Sequence, residues 1–323
     1  MRTRLTERLR IEHPIVLAPM GSAAGGRLAA AVSEAGGLGL IGGGYGDADW
    51  LEREFAAAGN ARVGCGFITW SLARRPHLLQ QALRRAPAGI MLSFGSPLSF
   101  APAIKPTGTP FICQVQTLAH AREAVAAEAD IIVAQGAEAG GHGAARATLT
   151  LVPEIADYLA QSSPTTLLLA AGGIADGRGL AAALMLGADG VLIGSRFWAS
   201  EEALVPKSFQ AAAIAAAGDD TIRTSVVDIA RKIDWPPPFT ARVLKTGFTM
   251  QWHGREQALA EPAVLEREMA RYLNAAQHGD VDNTGVLVGE AVALIRDVQP
   301  AAAIVRQIVH EAEELLSRIS SNG

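Results

Sequence analysis

The residues best suited to chemistry crowd into one loop, QGAEAGGHGA (Gln135 to Ala144). His142 follows Gly140 and Gly141, so an imidazole, which ordinarily titrates near neutral pH, rides on a backbone free to turn sharply. Such a group can hydrogen-bond a ligand or take a proton from it. Glu138 in the same loop is either a second acid or a structural acceptor, for backbone N–H groups or for a cation such as Arg146. Gln114 and Gln135 end apolar runs and suit hydrogen bonds to a heterocycle, or else polar contacts inside the fold. Two further loops, AGGIADGRG (Ala171 to Gly179) and GSRF (Gly194 to Phe197), place Gly172, Gly173, Gly194 and Ser195 where strands give way to helices. Backbone N–H groups can approach an anion closely there, which points to a phosphate-bearing ligand rather than to tight turns alone.

These loops need a frame, and the chain supplies one. Eight apolar runs read as strands: Ile15 to Ala18, Leu38 to Ile41, Val63 to Ile68, Gly89 to Ser93, Pro110 to Val115, Asp130 to Ala134, Thr166 to Ala170 and Gly190 to Gly194. Alanine-rich helical stretches separate them, several closed by Gly. Continuously apolar strands are covered on both faces, as in parallel sheets. The pattern predicts an α/β fold, a TIM-like (β/α)8 barrel, with an open doubly wound sheet as the alternative. In such a barrel the chemistry sits where strands end, and the loops above all lie there. After Phe197 the rhythm stops. Residues 209–283 read as a smaller inserted helical subdomain covering the active site, broken by WPPPF (Trp235 to Phe239), while 1–208 and 284–323 form the barrel. A loop at Gly279 to Gly285, a last helix over Pro300 to Ile319 and a solvated SSNG tail complete the reading.

Composition narrows the function. The 323 residues are 49% hydrophobic and 19% charged, below the roughly 25% charge usual for soluble domains. A net charge of −4 without a basic cluster argues against nucleic acid as a partner. No apolar segment is long enough to span a membrane, and the N-terminus lacks a signal-peptide core, so the expected location is cytoplasmic. Cys65 and Cys113 read as buried reduced thiols. Gly37, Gly39 and Gly42 spell GxGxxG but span a strand instead of following one, so they are not read as a dinucleotide motif. The other histidines, His13, His77, His120, His253, His278 and His310, lack metal-ligand spacing, and no metal is expected.

APMG (Ala18 to Gly21), AGGLGLIGGG (Ala35 to Gly44), QGAEAGGHG, AAGGIADGRGLAAALMLGADGVLIGSRF (Ala170 to Phe197) and HGDVDNTGVLVGEAVALI (His278 to Ile295) together resemble the nitronate monooxygenase family, formerly 2-nitropropane dioxygenases. The resemblance covers nearly the whole chain and extends to the FMN-dependent enoyl-acyl-carrier-protein reductases. It implies non-covalent FMN, with phosphate on the backbone of Gly172, Gly173, Gly194 and Ser195. Ala18, Pro19 and Met20 would line the isoalloxazine, with Gln114 and Gln135 as polar contacts and Gly66, Gly140, Gly141 and Ala171 completing the cofactor set. His142 would face the substrate. The implied reaction oxidises alkyl nitronates with O2 to carbonyl compounds and nitrite, and a homodimer is compatible with it. Gly66 stands where many relatives carry Asn, and Glu290 where they often carry Gln. The competing functions are an NAD(P)H-dependent FMN reductase of enoyl thioesters or quinones, a flavin-free phosphosugar isomerase or lyase, and an FMN carrier.

Overall fold

The computed structural model describes residues 1–321. Its strands, in chain order, are β1 (Ile15–Leu17), β2 (Leu40–Gly42), β3 (Gly64–Ile68), β4 (Ile90–Ser93), β5 (Phe111–Val115), β6 (Ile131–Gln135), β7 (Gly141–Gly143), β8 (Leu167–Ala171), β9 (Gly190–Ile193), β10 (Thr221–Thr224) and β11 (Thr240–Leu244). Eight of them form a parallel sheet in the order β1-β9-β8-β6-β5-β4-β3-β2. Its two ends meet: Val16 bridges Leu38, and the Leu17 N–H donates to the Leu38 carbonyl at 2.9 Å. The sheet is therefore a closed barrel, not the open doubly wound alternative.

Alternation along each strand builds two cores, because successive side chains point to opposite faces. Val16, Leu40, Met91, Ile112, Val133, Leu169 and Leu192 fill the barrel interior. Ile15, Ile41, Cys65, Leu92, Cys113, Ile132, Leu168 and Val191 face the surrounding helices. Both cysteines are thus buried free thiols, and burial raises their pKa. The helix Arg4–Leu9 closes the barrel's lower end with Leu5 and Leu9. Arg4 fixes it there with two hydrogen bonds to the Asp189 carboxylate, at 2.7 and 2.8 Å. At the far end of the chain, the helix Ala301–Ser321 packs on the helices Gly177–Met185 and Gly26–Glu34. The first two residues of the SSNG tail continue this helix, and Asn322 and Gly323 lie outside the described residues.

The stretch 209–283 is largely helical, and it also carries β10 and β11. They pair antiparallel with each other, and β11 pairs in turn with β7, setting Ala241 opposite His142. These strands escape a reading by apolar runs because Arg223 and Arg242 interrupt them, and their partner is a glycine-flanked histidine from the barrel loop. Val226, Val227, Val243, Phe248, Trp252 and Leu259 give this region a core of its own.

The plug makes a testable contribution to stability. Leu5 is 0% exposed, so Leu5→Ala should cost about 2–5 kcal/mol. A lower urea midpoint with an unchanged slope is expected, and an unchanged midpoint would show that the helix does not belong to the core.

Candidate active site

Beyond the last apolar layer of the barrel, the inward positions turn small or polar: Ala18, Gly66, Ser93, Gln114, Gln135, Ala171 and Gly194. They floor a cavity of about 740 Å³ at the C-terminal mouth of the strands. Pro19, Met20, Gly140, Gly141, His142, Gly172, Gly173 and Ser195 line it as well. One cavity therefore collects His142 and every residue expected to contact the cofactor.

His142 is held on three sides. Its Nε2 lies 3.0 and 2.9 Å from the two carboxylate oxygens of Asp228, a residue of the helix Val226–Ala230. Its ring stacks on Trp235 with centroids 3.5 Å apart and planes 7° from parallel. Its backbone carbonyl accepts from the Gln135 side chain at 3.1 Å. Burial lowers the imidazole pKa, against the opposing pull of Asp228, and Arg231 and Arg223 lower it further. Burial thus favours the neutral ring. Asp228, as a carboxylate, accepts the Nε2–H, which leaves Nδ1 as the nitrogen carrying the lone pair. That arrangement can accept a proton and return it.

Around the ring stand residues that the sequence reading did not select. Tyr45, Phe94, Arg231 and Trp235 line the cavity, and the Trp235 indole N–H donates to the Tyr45 hydroxyl at 2.9 Å. Phe94 has φ +66°, a backbone conformation that costs a non-glycine residue roughly 1–3 kcal/mol. Asp228 sits in the apolar run VVDIA, and a carboxylate in such a run was the available signal. In the sequence, Trp235 stands out only as part of the helix-breaking WPPPF segment.

Several expectations change in detail. The Gln135 amide is engaged by protein: its Oε1 accepts from Gln114 at 3.2 Å and from Gln116 at 2.9 Å, while its Nε2 donates to His142. Its structural part is to brace the histidine strand. Glu138 caps the helix Thr148–Ser162, accepting from the Thr148 N–H at 3.0 Å and hydroxyl at 2.8 Å, and Arg146 pairs instead with Glu154. Glu290 pairs with Arg242 at 2.8 Å and does not line the cavity. Gly66 lies under the Pro19 ring, which occupies the space a side chain would need. Arg223, whose pKa burial pushes down to about 10, remains a cation and donates to the carbonyls of Ala137 and Ala139. Arg242 also donates to Ala137, at 2.9 Å. Two guanidinium groups thus fasten the histidine loop through its own backbone.

The glycine cradle fits an anion with a close backbone approach. Gly172 and Gly173 have φ +100° and +75°, and a side-chain carbon on Gly172 would lie 3.0 Å from the Gly136 carbonyl oxygen. On Gly194 it would meet only the Met20 sulfur at 3.6 Å and Ala18 at 3.7 Å, so that position opens to the cavity. The Ser195 hydroxyl accepts from the Gly289 N–H at 2.9 Å and retains its own proton to donate. No cluster of His, Cys, Asp and Glu among the described residues could hold a metal ion. Among the described residues, no helix is long and apolar enough to cross a membrane.

The fold is a TIM-like barrel with a cavity at the C-terminal mouth of its strands, and comparison with known proteins gives its family, one of oxidoreductases. The nitronate monooxygenase family model matches residues 2–62 and 79–311, so the chain belongs to that family. It is 34% identical to the nitronate monooxygenase npaC of Metarhizium robertsii, over 95% of this chain and 93% of that protein. Among solved structures, FabK from Thermotoga maritima superposes with a TM-score of 0.86 at 32% identity, covering 100% of both chains. Nitroalkane oxidase from Streptomyces ansochromogenes gives 0.81 at 25% identity, over 98% of this chain and 100% of that one.

The dyad makes a prediction about pH. Because the His142 pKa lies below its usual 6.5, kcat/KM for a neutral nitroalkane, from which the ring must take a proton, should be flat above neutrality and fall as pH drops through that lowered value. The native state loses stability between the usual value and the lowered one, since the unfolded chain takes up the proton first. Asp228→Asn removes the charge that raises the imidazole pKa. It should move the acid limb to lower pH and cut kcat roughly 10- to 100-fold. An unchanged pH profile would reduce Asp228 to a packing residue.

Proposed function

We propose that the protein binds FMN in the barrel mouth and oxidises alkyl nitronates with O2 to carbonyl compounds and nitrite. The observation that carries this reading is His142, held by the buried Asp228, lining the same cavity as a glycine cradle at the ends of the neighbouring strands β8 and β9. The backbone of Gly172, Gly173, Gly194 and Ser195 would hold the phosphate, and that of Ala18, Pro19 and Met20 would line the ring system beside Gln114. When bound, the flavin supplies the electron chemistry that side chains lack.

His142 then handles charge and protons. With a neutral nitroalkane, its Nδ1 lone pair takes the α-proton, giving the nitronate and an imidazolium that Asp228 stabilises through Nε2. The new Nδ1–H donates to a nitronate oxygen and orients the carbon. With a nitronate added as the anion, the ring draws its proton from solvent, and the anion itself favours that protonation. Trp235 keeps the ring plane fixed throughout, and Arg231 adds a second positive charge to the cavity wall. An anionic substrate suits this field.

The test is the visible spectrum of the purified protein under anaerobic conditions. A flavin spectrum that bleaches with propyl nitronate and persists with NADPH supports the reading. Bleaching by NADPH alone supports a reductase, the function class for which the close superposition on FabK speaks. A colourless protein without extractable flavin refutes both.

Two variants sharpen the test. His142→Ala should retain flavin and lose roughly 10²- to 10⁴-fold in turnover. Gly194→Val carries no positive-φ strain, so it should fold normally while losing flavin into the filtrate on dialysis; full retention would displace the phosphate from that cradle.

A further inference from the structure

One polar group in the cavity wall has no part in the reaction as proposed. Tyr45 lines the cavity from the loop that follows β2, and its neighbours Gly44 and Gly46 have φ +54° and +93°. The turn is pinned at several points. The Ser71 hydroxyl donates to the Tyr45 carbonyl at 2.8 Å, Arg75 donates to the Gly46 carbonyl, and the Gly46 N–H donates to the Gly43 carbonyl at 3.2 Å. A side chain held in this way at its backbone presents its tip at a set place.

The tip itself is also held. An indole N–H can only donate, so in the 2.9 Å contact with Trp235 the Tyr45 oxygen is the acceptor. The phenol proton is thereby left for another partner, and among the described residues no acceptor for it is found. Burial raises the Tyr45 pKa, against the opposing pull of Arg231 and the bond from Trp235, so the phenol keeps its proton at neutral pH. The Arg231 guanidinium lies over the phenol ring, 5.4 Å from its centroid, and adds positive charge beside that donor. Trp235 meanwhile stacks on His142, with ring centroids 3.5 Å apart. One indole thus touches both the imidazole and the phenol, and it sets the spacing between them.

We propose that the Tyr45 hydroxyl donates to one oxygen of the bound nitronate while the His142 Nδ1–H donates to the other. The inference rests on the nitronate reading for its substrate and on the Trp235 contacts for its geometry. A nitronate spreads its charge over two oxygens on one nitrogen. Two donors held across a rigid ring fix the plane of that group as well as its place, as a single donor cannot. No proton leaves Tyr45, whose part is to bind and orient the anion.

Tyr45→Phe removes the hydroxyl and keeps the ring. Nitrate, a planar anion that also carries its oxygens on one nitrogen, serves as an unreactive probe, with its affinity for the purified protein read by calorimetry beside the kinetics with propyl nitronate. A hydrogen bond lost to a charged group should weaken binding roughly 10- to 100-fold. The KM for propyl nitronate and the Kd for nitrate should both rise by that factor in Tyr45→Phe, with kcat nearly unchanged. A fluorotyrosine in place of Tyr45 keeps the hydroxyl and makes its proton more acidic, so it should bind nitrate at least as tightly as the wild type does. A fall in kcat with KM and nitrate affinity unchanged overturns the proposal, since Tyr45 would then serve only to brace Trp235 and His142. Nitrate binding weakened equally by phenylalanine and by fluorotyrosine overturns it too. Nitrate binding that depends on the hydroxyl in a protein without nitronate turnover would sustain the anion-binding donor and refute the reaction, whereas turnover that Tyr45→Phe leaves intact in both KM and kcat would do the reverse.

Discussion

Asp228 and His142 are both buried, and their contact joins residues 86 positions apart in the chain. A carboxylate removed from water is costly unless it is paired and hydrogen-bonded, and its pairing here depends on one imidazole nitrogen. Everything that brings the two together is therefore constrained. The histidine must stand on a strand of fixed register, which β7 achieves by pairing with β11. The carboxylate must come from a helix packed beneath that strand pair, and Val226 and Val227 anchor that helix in the core it shares with Ala241 and Val243. The region outside the barrel rhythm is thus the part that positions the carboxylate.

The barrel contributes the other half of the constraint. Gln135 ends an apolar strand with a side chain that bonds Gln114, Gln116 and the His142 backbone, so the loop is tied to two neighbouring strands. Arg223 and Arg242 hold the loop's carbonyls from the opposite side. Charge-assisted bonds of this kind are among the stronger ones available, and they spend two guanidinium groups on backbone instead of substrate. Trp235 then covers the ring face. The outcome is a loop rich in glycine whose conformation is nonetheless set at several points, as a preorganised site requires.

The legible and illegible parts of this design divide along a physical line. The eight barrel strands were legible because parallel strands buried on both faces leave uninterrupted apolar runs, and the βα loops could then be assigned to one rim. His142 and the glycine pairs followed from that assignment. Asp228 was hidden because its role exists only across a tertiary contact, and nothing in VVDIA names its partner. β10 and β11 were hidden because they alternate arginine and threonine with apolar residues and gain their stability from β7. Gln135 was placed correctly at the cavity, but its hydrogen bonds depend on which neighbours the barrel register brings beside it. Phe94 was unreadable for a different reason: its positive φ is imposed by surroundings, and no residue type in SFGS other than glycine advertises it.

The central claim is that His142 rests as a neutral imidazole whose Nε2–H is given to Asp228. Nitrogen-15 NMR of histidine-labelled protein, with His142 assigned by substitution, reads that state directly across a pH titration. The account predicts the Nε2–H tautomer at pH 7, protonation only below 6.5, and loss of the tautomer preference in Asp228→Asn. An Nδ1–H tautomer, or an imidazolium persisting at pH 7, would contradict it.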